Sequence, residues 1–199
     1  MELHTMEGQE LVKDLVKIGY KVFLDLKFSD IPNTVAAACE VAADIGVWMI
    51  NVHATGGSKM MKEVMKRLNK REERPLVIAV TILTHMDQQD IEEIGLNGTI
   101  KENVLRLATL AKKCGLDGVV SSAEEVPLLK KELGKGFICI SPAIRFLEDS
   151  NDDQNRVMTP GKAIQNGSDY LVIGRSIINA KVPLVALQRA NSEVSSVGG

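Results

Sequence analysis

The chain has 199 residues, 45% hydrophobic and 25% charged, the composition of one soluble globular domain with a sizeable core. A formal charge of −2 gives no global attraction for nucleic acid or anionic lipid, so any anionic ligand must be held by local groups. Cys39, Cys114 and Cys139 are odd in number and far apart, which excludes a zinc site built on close cysteine pairs and suits a reduced, cytoplasmic setting.

In chain order, the first 20 residues carry Glu2, Glu7, Glu10 and Asp14 and so are neither a signal peptide nor a membrane span. A helix is expected from about Glu7 to Ile18, with Leu11, Val12, Leu15 and Val16 on its inner face. Six short apolar runs then read as strands: Lys21 to Leu26, Val47 to Val52, Leu76 to Leu83, Gly118 to Val120, Phe137 to Ile140 and Tyr170 to Ile173. Between them lie helical periods, such as Val104, Leu107, Ala108 and Ala111. Strand alternating with helix predicts βαβ units and a parallel sheet, and a run such as LVIAVTIL suits burial on both faces. The fold class is therefore α/β. One domain over residues 1–191 is expected, with 192–199 a frayed Ser/Gly-rich tail.

Polar residues gather where these strands end: Asp25 and Lys27, Asn51 and His53, Thr81 and Thr84, Ser121 and Ser122, Arg145, then Gly174 and Arg175. In parallel α/β folds ligands sit at the carboxyl ends of strands, so chemistry is expected there, although loops are polar for other reasons as well. Asp25 and Lys27 stand two apart on an extended strand and so face the same way, as a structural ion pair or as a catalytic one. Asp30 precedes Pro32 at a helix start and could simply cap that helix. Gly174-Arg175 lies at a strand-to-helix junction, where backbone N–H groups and a guanidinium suit an anion, or where glycine serves only the turn.

The segment DLKFSDIPNT, from Asp25 to Thr34, resembles the signature decapeptide of the orotidine 5'-phosphate decarboxylase family, with Asp25, Lys27 and Asp30 matching its D-x-K-x-x-D core. Four further stretches resemble the family in order: Val80-Thr-Ile-Leu-Thr84, Ser141-Pro-Ala-Ile-Arg145, the loop carrying Gln154, and Val172-Ile-Gly-Arg175. The resemblance runs from about Met1 to about Ala190 and implies a TIM-type (β/α)8 barrel that decarboxylates orotidine 5'-monophosphate to uridine 5'-monophosphate without cofactor or metal. It makes Lys27 the proton donor to C6 and Asp25 the group that holds Lys27 and opposes the departing carboxylate. It sends Asp30, Ile31 and Thr34 into the partner's site of a homodimer with composite active sites. It gives Thr84, Arg145, Gln154, Gly174 and Arg175 to the nucleotide, with the polar stretch Leu147 to Arg156 closing over its phosphate. No nucleic-acid or membrane partner is implied.

Two departures bear on this expectation. The family has eight strands and six are visible, the absent pair being the first two, which end in an Asp and a Lys; a barrel so shortened exposes two edges. His85 stands where related sequences often place a small hydroxyl residue. The D-x-K-x-x-D core is shared with magnesium-dependent sugar-phosphate decarboxylases and aldolases, but Ile31-Pro-Asn-Thr34 and the loop from Arg145 to Gln154 favour the nucleotide enzyme. An inactive phosphate-binding remnant is the remaining alternative.

Overall fold

A computed structural model describes residues 2–149 and 156–197. Helix α1 (Glu2–Lys17) begins five residues earlier than the sequence suggests and is broken at Gly8, whose φ of 69° is open to glycine but strained for other residues. Val12 is buried, while Leu11, Leu15 and Val16 are half-buried. The remaining elements are β1 (Phe23–Phe28), α2 (Pro32–Ile45), β2 (Met49–His53), α3 (Gly57–Leu68), β3 (Leu76–Val80), α4 (Gln88–Glu93), α5 (Ile100–Lys113), β4 (Gly118–Val120), α6 (Val126–Leu133), β5 (Ile138–Ser141), α7 (Pro160–Gln165), β6 (Tyr170–Leu171), α8 (Arg175–Ile178) and α9 (Pro183–Ser195). All six expected strands are present, and among the described residues no helix is long and apolar enough to cross a membrane.

The chain forms two compact units, one of Met1–Val80 with Leu107–Gly118, the other of Thr81–Arg106 with Val119–Gly199. In the first, β1 pairs parallel to β2, and β2 parallel to β3 in unbroken register from Met49↔Leu76 to His53↔Val80. Helices α2 and α3 pack on each other, burying Val35, Ala36, Cys39 and Ala42 from one and Met60, Met61, Val64, Met65 and Leu68 from the other. Gly46 ends α2 in the left-handed conformation that satisfies the last carbonyls, its N–H donating to Ala43 at 3.0 Å. In the second unit β4, β5 and β6 are hydrogen-bonded in that order, β5 and β6 parallel. Helices α7 and α8 pack on α9 there. One cluster joins Ala123, Ile144 and Ala163, and another joins Phe146, Ala186 and Ala190.

The same fastening recurs just before two strands. Asp117 accepts from Arg74 at 2.7 and 3.0 Å and from the Val77 N–H at 2.7 Å, while its own N–H donates to the Val77 carbonyl. Asp169 repeats this with Lys130 at 2.6 Å and the Cys139 N–H at 2.7 Å, its own N–H donating to the Cys139 carbonyl. Each carboxylate ties the start of one strand to the start of the next, the end of the fold where stability rather than chemistry resides.

Several boundaries differ from the sequence expectation: β2, expected over Val47 to Val52, runs Met49–His53; β5, expected over Phe137 to Ile140, runs Ile138–Ser141; and β6, expected to reach Ile173, ends at Leu171. β1 is shifted two residues later and carries Lys27 inside it; β3 ends at Val80, short of the expected Leu83, and Thr81 bonds the Val120 carbonyl through both its N–H (3.2 Å) and its hydroxyl (2.8 Å). The tail expected from Ser192 begins inside α9, which continues to Ser195 with the Ser192 hydroxyl bonded back to Gln188 at 2.9 Å. All three thiols are free and buried, and burial pushes Cys39 up to about 12 and Cys139 up to about 11, so neither is a ready nucleophile.

Candidate active site

In the first unit, Asp25 and Lys27 leave β1 as an ion pair, Nζ to Oδ1 at 2.7 Å, with both side chains partly exposed. Regular alternation along the strand is not what holds them. Lys27 has a φ of 58°, left-handed for a residue with a Cβ, and the β1–β2 register slips between Leu24 and Phe28 at this point. Asn51 on β2, 1% exposed, holds the bulge: its Oδ1 accepts the Lys27 N–H at 2.8 Å and its Nδ2 donates to Asp25 Oδ1 at 2.5 Å. One buried amide therefore fixes the backbone of the lysine and the carboxylate of its partner. His53, two residues on, is half-buried, and its pKa is lowered by that burial first, then by the Lys27 charge, with Asp25 opposing.

Asp30, Ile31 and Thr34 follow as an exposed group, with Ile31 70% exposed. The capping role open to Asp30 is not taken. The cap of α2 is Ile31, which makes no side-chain cap, and Asp30 Oδ1 instead accepts the adjacent Ile31 N–H at 2.6 Å.

In the second unit, Thr84, Arg145, Gly174 and Arg175 line one cavity of about 170 Å³ together with Pro142, Ala143, Ile144, Val172 and Ser176. Arg145 is 8% exposed. It is delivered by Ala143, the second non-glycine residue with left-handed φ (58°) among those described, and by a short parallel bridge, Ile144 to Met158. Backbone strain thus sits at the lysine and at the arginine-bearing turn, the two places where sequence put function. Nothing lies within 4 Å of where a Cβ on Gly174 would be, so the backbone there is open to a ligand. Helix α8 is a single turn, so its dipole adds little and the Arg175 guanidinium is the stronger attraction for an anion. A larger cavity of about 450 Å³ shares Arg175 and Ser176 and is lined also by Phe146, Val182, Val185 and Ala186 and by the charged Glu148, Asp149, Lys181 and Arg189. The smaller one holds the strand-end residues. Gln154 lies outside the described residues. His85 is exposed on the turn after β3.

Sequence reasoning did not find Asn51 as the partner of both charged groups, though its place at a strand end was a signal. Nor did it find Glu125, 1% exposed at the start of α6, whose Oε1 receives Arg156 Nη1. Burial pushes the Glu125 carboxyl above its ordinary value, with the Arg156 charge opposing. Nothing in the pattern of residues marks that pair.

The protein-family model described as orotidine 5'-phosphate decarboxylase / HUMPS family matches residues 1–190. The Chromobacterium violaceum protein named orotidine 5'-phosphate decarboxylase is 54% identical over 194 residues, covering 98% of this chain and 78% of its own length. A crystal structure of orotidine 5'-phosphate decarboxylase from Lactobacillus acidophilus is similar with a TM-score of 0.82 and 35% identity, covering 94% of this chain and 81% of that one. An uncharacterized conserved protein from Geobacillus kaustophilus is similar at TM-score 0.82 and 39% identity, over 96% of this chain and 84% of that one. The fold class is the α/β TIM-type barrel, of which six strands lie in this chain. With the Asp-x-Lys-x-x-Asp core, the arginine cavity and relatives at this identity, the chain belongs to the orotidine 5'-phosphate decarboxylase / HUMPS family and is a carboxy-lyase.

Proposed function

We propose that this chain converts orotidine 5'-monophosphate to uridine 5'-monophosphate in pyrimidine biosynthesis, with Lys27 as the proton donor. The observation that carries the reading is the Asp25–Lys27 pair, held at 2.7 Å on a left-handed backbone and pinned by Asn51. When the bond from C6 to the carboxylate breaks, its electron pair stays on C6 and CO2 departs. The resulting carbanion is localised on an sp² carbon, and a fixed ammonium stabilises charge that exists only late in the reaction. The Lys27 Nζ proton then goes to C6, and the neutral amine recovers its proton from solvent. Asp25 orients Lys27 throughout and faces the substrate carboxylate.

Arg175 and the Gly174 backbone take the 5'-phosphate, with Thr84, Arg145 and Gln154 as further ligand contacts, so that binding energy from a non-reacting group organises the reacting one. Asp30, Ile31 and Thr34 serve the site of a second copy, which makes the working form a homodimer; their exposure supports this. The reading takes residues 1–191 as one barrel domain acting in the cytoplasm.

The test is turnover of orotidine 5'-monophosphate by the wild-type chain and by Lys27→Ala, with uridine 5'-monophosphate affinity measured alongside. The expected result is loss of turnover in Lys27→Ala with nucleotide binding retained, because Lys27 acts on a charge that appears in the transition state. Substantial turnover by Lys27→Ala removes the donor role, and chelator-sensitive turnover of a sugar phosphate in place of orotidine 5'-monophosphate moves the chain to the magnesium-dependent sugar-phosphate branch.

A further inference from the structure

The Glu125–Arg156 pair lies outside the residues assigned above, and it is expensive. Glu125 is 1% exposed and the Arg156 side chain 10%. Among the described residues Glu125 Oε2 and Arg156 Nε find no hydrogen-bond partner. A buried ion pair whose polar atoms are incompletely satisfied stabilises a fold no better than a well-packed apolar pair of the same volume. Its position suggests what it does instead. Arg156 Nη2 donates to the carbonyl of Leu83 at 3.0 Å, and Leu83 is the residue before Thr84. Two residues beyond Arg156, the Met158 carbonyl accepts the Arg145 N–H at 3.0 Å, and the Met158 N–H donates to the Ala143 carbonyl at 3.4 Å. The segment 156–158 is therefore bonded on one side to the turn carrying Thr84 and on the other to the segment carrying Arg145, both of which line the 170 Å³ cavity. Glu125 anchors the guanidinium from behind. Its own place is fixed by its N–H, which donates to Ser122 at 3.1 Å, and by its position at the amino end of α6, where a carboxylate is favoured.

We propose that Arg156, held by Glu125, is a positioning residue that fixes the Thr84 turn relative to Arg145 and so sets the geometry of the nucleotide-phosphate cavity. The inference rests on the proposed function for the identity of the ligand. The guanidinium spans the carboxylate and the carbonyl with two nitrogens held in one plane at a fixed separation. Lysine keeps the charge but places it on one nitrogen and loses that fixed spacing.

The experiment uses the 199-residue chain with Arg156→Lys and with the double variant Glu125→Leu/Arg156→Leu. For each, the melting temperature, the uridine 5'-monophosphate affinity, and kcat and KM for orotidine 5'-monophosphate are measured. A positioning role predicts that the double variant melts close to wild type, since the apolar pair replaces the ionic one, yet loses about tenfold to a hundredfold in kcat/KM through a raised KM, as expected when ligand-contacting groups shift by an ångström or less. Arg156→Lys should also stay folded and show a loss in the same direction, which decides the matter should the double variant not fold. Variants that melt near wild type with unchanged kcat/KM and nucleotide affinity overturn the positioning role. A wild-type chain that does not turn over orotidine 5'-monophosphate overturns the functional reading instead, and the positioning role is then decided by the nucleotide affinities alone.

Discussion

Lys27 carries a stored cost that can be separated from its chemistry. Its φ of 58° lies in the left-handed region, which costs a residue with a Cβ about 1 to 2 kcal/mol relative to its ordinary conformations. Glycine escapes that cost but gives back about 0.5 to 1 kcal/mol in unfolded-chain entropy. Lys27→Gly and Lys27→Ala both delete the ammonium and so lose the ion pair to Asp25 equally, while both keep the backbone N–H that Asn51 accepts. The difference between them therefore isolates the backbone, and Lys27→Gly should be the more stable by about 0.5 to 1 kcal/mol. Urea denaturation of the two variants should separate their midpoints by roughly 0.4 M at the slopes usual for small proteins. Both should be inactive toward orotidine 5'-monophosphate. Equal midpoints, or a more stable alanine variant, would refute the claim that this lysine is held in a strained conformation.

Arg175→Ala should weaken recognition of the 5'-phosphate by about 1.5 to 3 kcal/mol, the range for hydrogen bonds to a charged group, since Arg175 is exposed, read as a fall in the ratio of nucleotide to nucleoside affinity. Mixing inactive Lys27→Ala subunits with inactive Asp30→Ala subunits should restore about a quarter of wild-type sites if dimers reassort freely, because each mixed dimer gains one intact composite site; no recovery, with exchange shown independently, would return Asp30 to its own chain. His53 has a folded pKa held below its ordinary 6.5, so folding favours the neutral imidazole; that contribution is present above 6.5 and lost as pH falls through the lowered value. His53→Gln should accordingly flatten the stability profile below pH 6.5, measured by denaturant midpoints across that window. Asp117→Ala strands Arg74 and the Val77 N–H and should cost about 2 to 4 kcal/mol of stability without changing kcat.

The strands were legible because each is a short apolar run bounded by turn residues, and Leu76 to Val80 shows how directly that maps onto a buried parallel strand. The strand ends were legible for the same reason, since Thr84, Arg145, Gly174 and Arg175 each follow one and do line a common cavity. The left-handed turn at Lys27 was not legible, since lysine gives no sign of positive φ and spacing alone suggested ordinary alternation. Asn51 looked like any polar residue at a strand mouth; its importance comes from two bonds to residues 24 and 26 positions away, which only the folded chain brings together. Glu125 and Arg156 were hidden further, because a charged residue reads as solvent-exposed unless its partner is known.

The parallel bridge from Ile144 to Met158 also separates two evolutionary freedoms. Arg145 and Met158 are joined through the backbone, so the chain between them closes on a fixed base. Changing the length of that intervening chain costs little, about 0.6 kcal/mol for a doubling, and the cost falls on loop closure rather than on the arginine. A change of length there would therefore be felt first by the residues within that chain, with the backbone pairing at Arg145 and Met158 kept as its base.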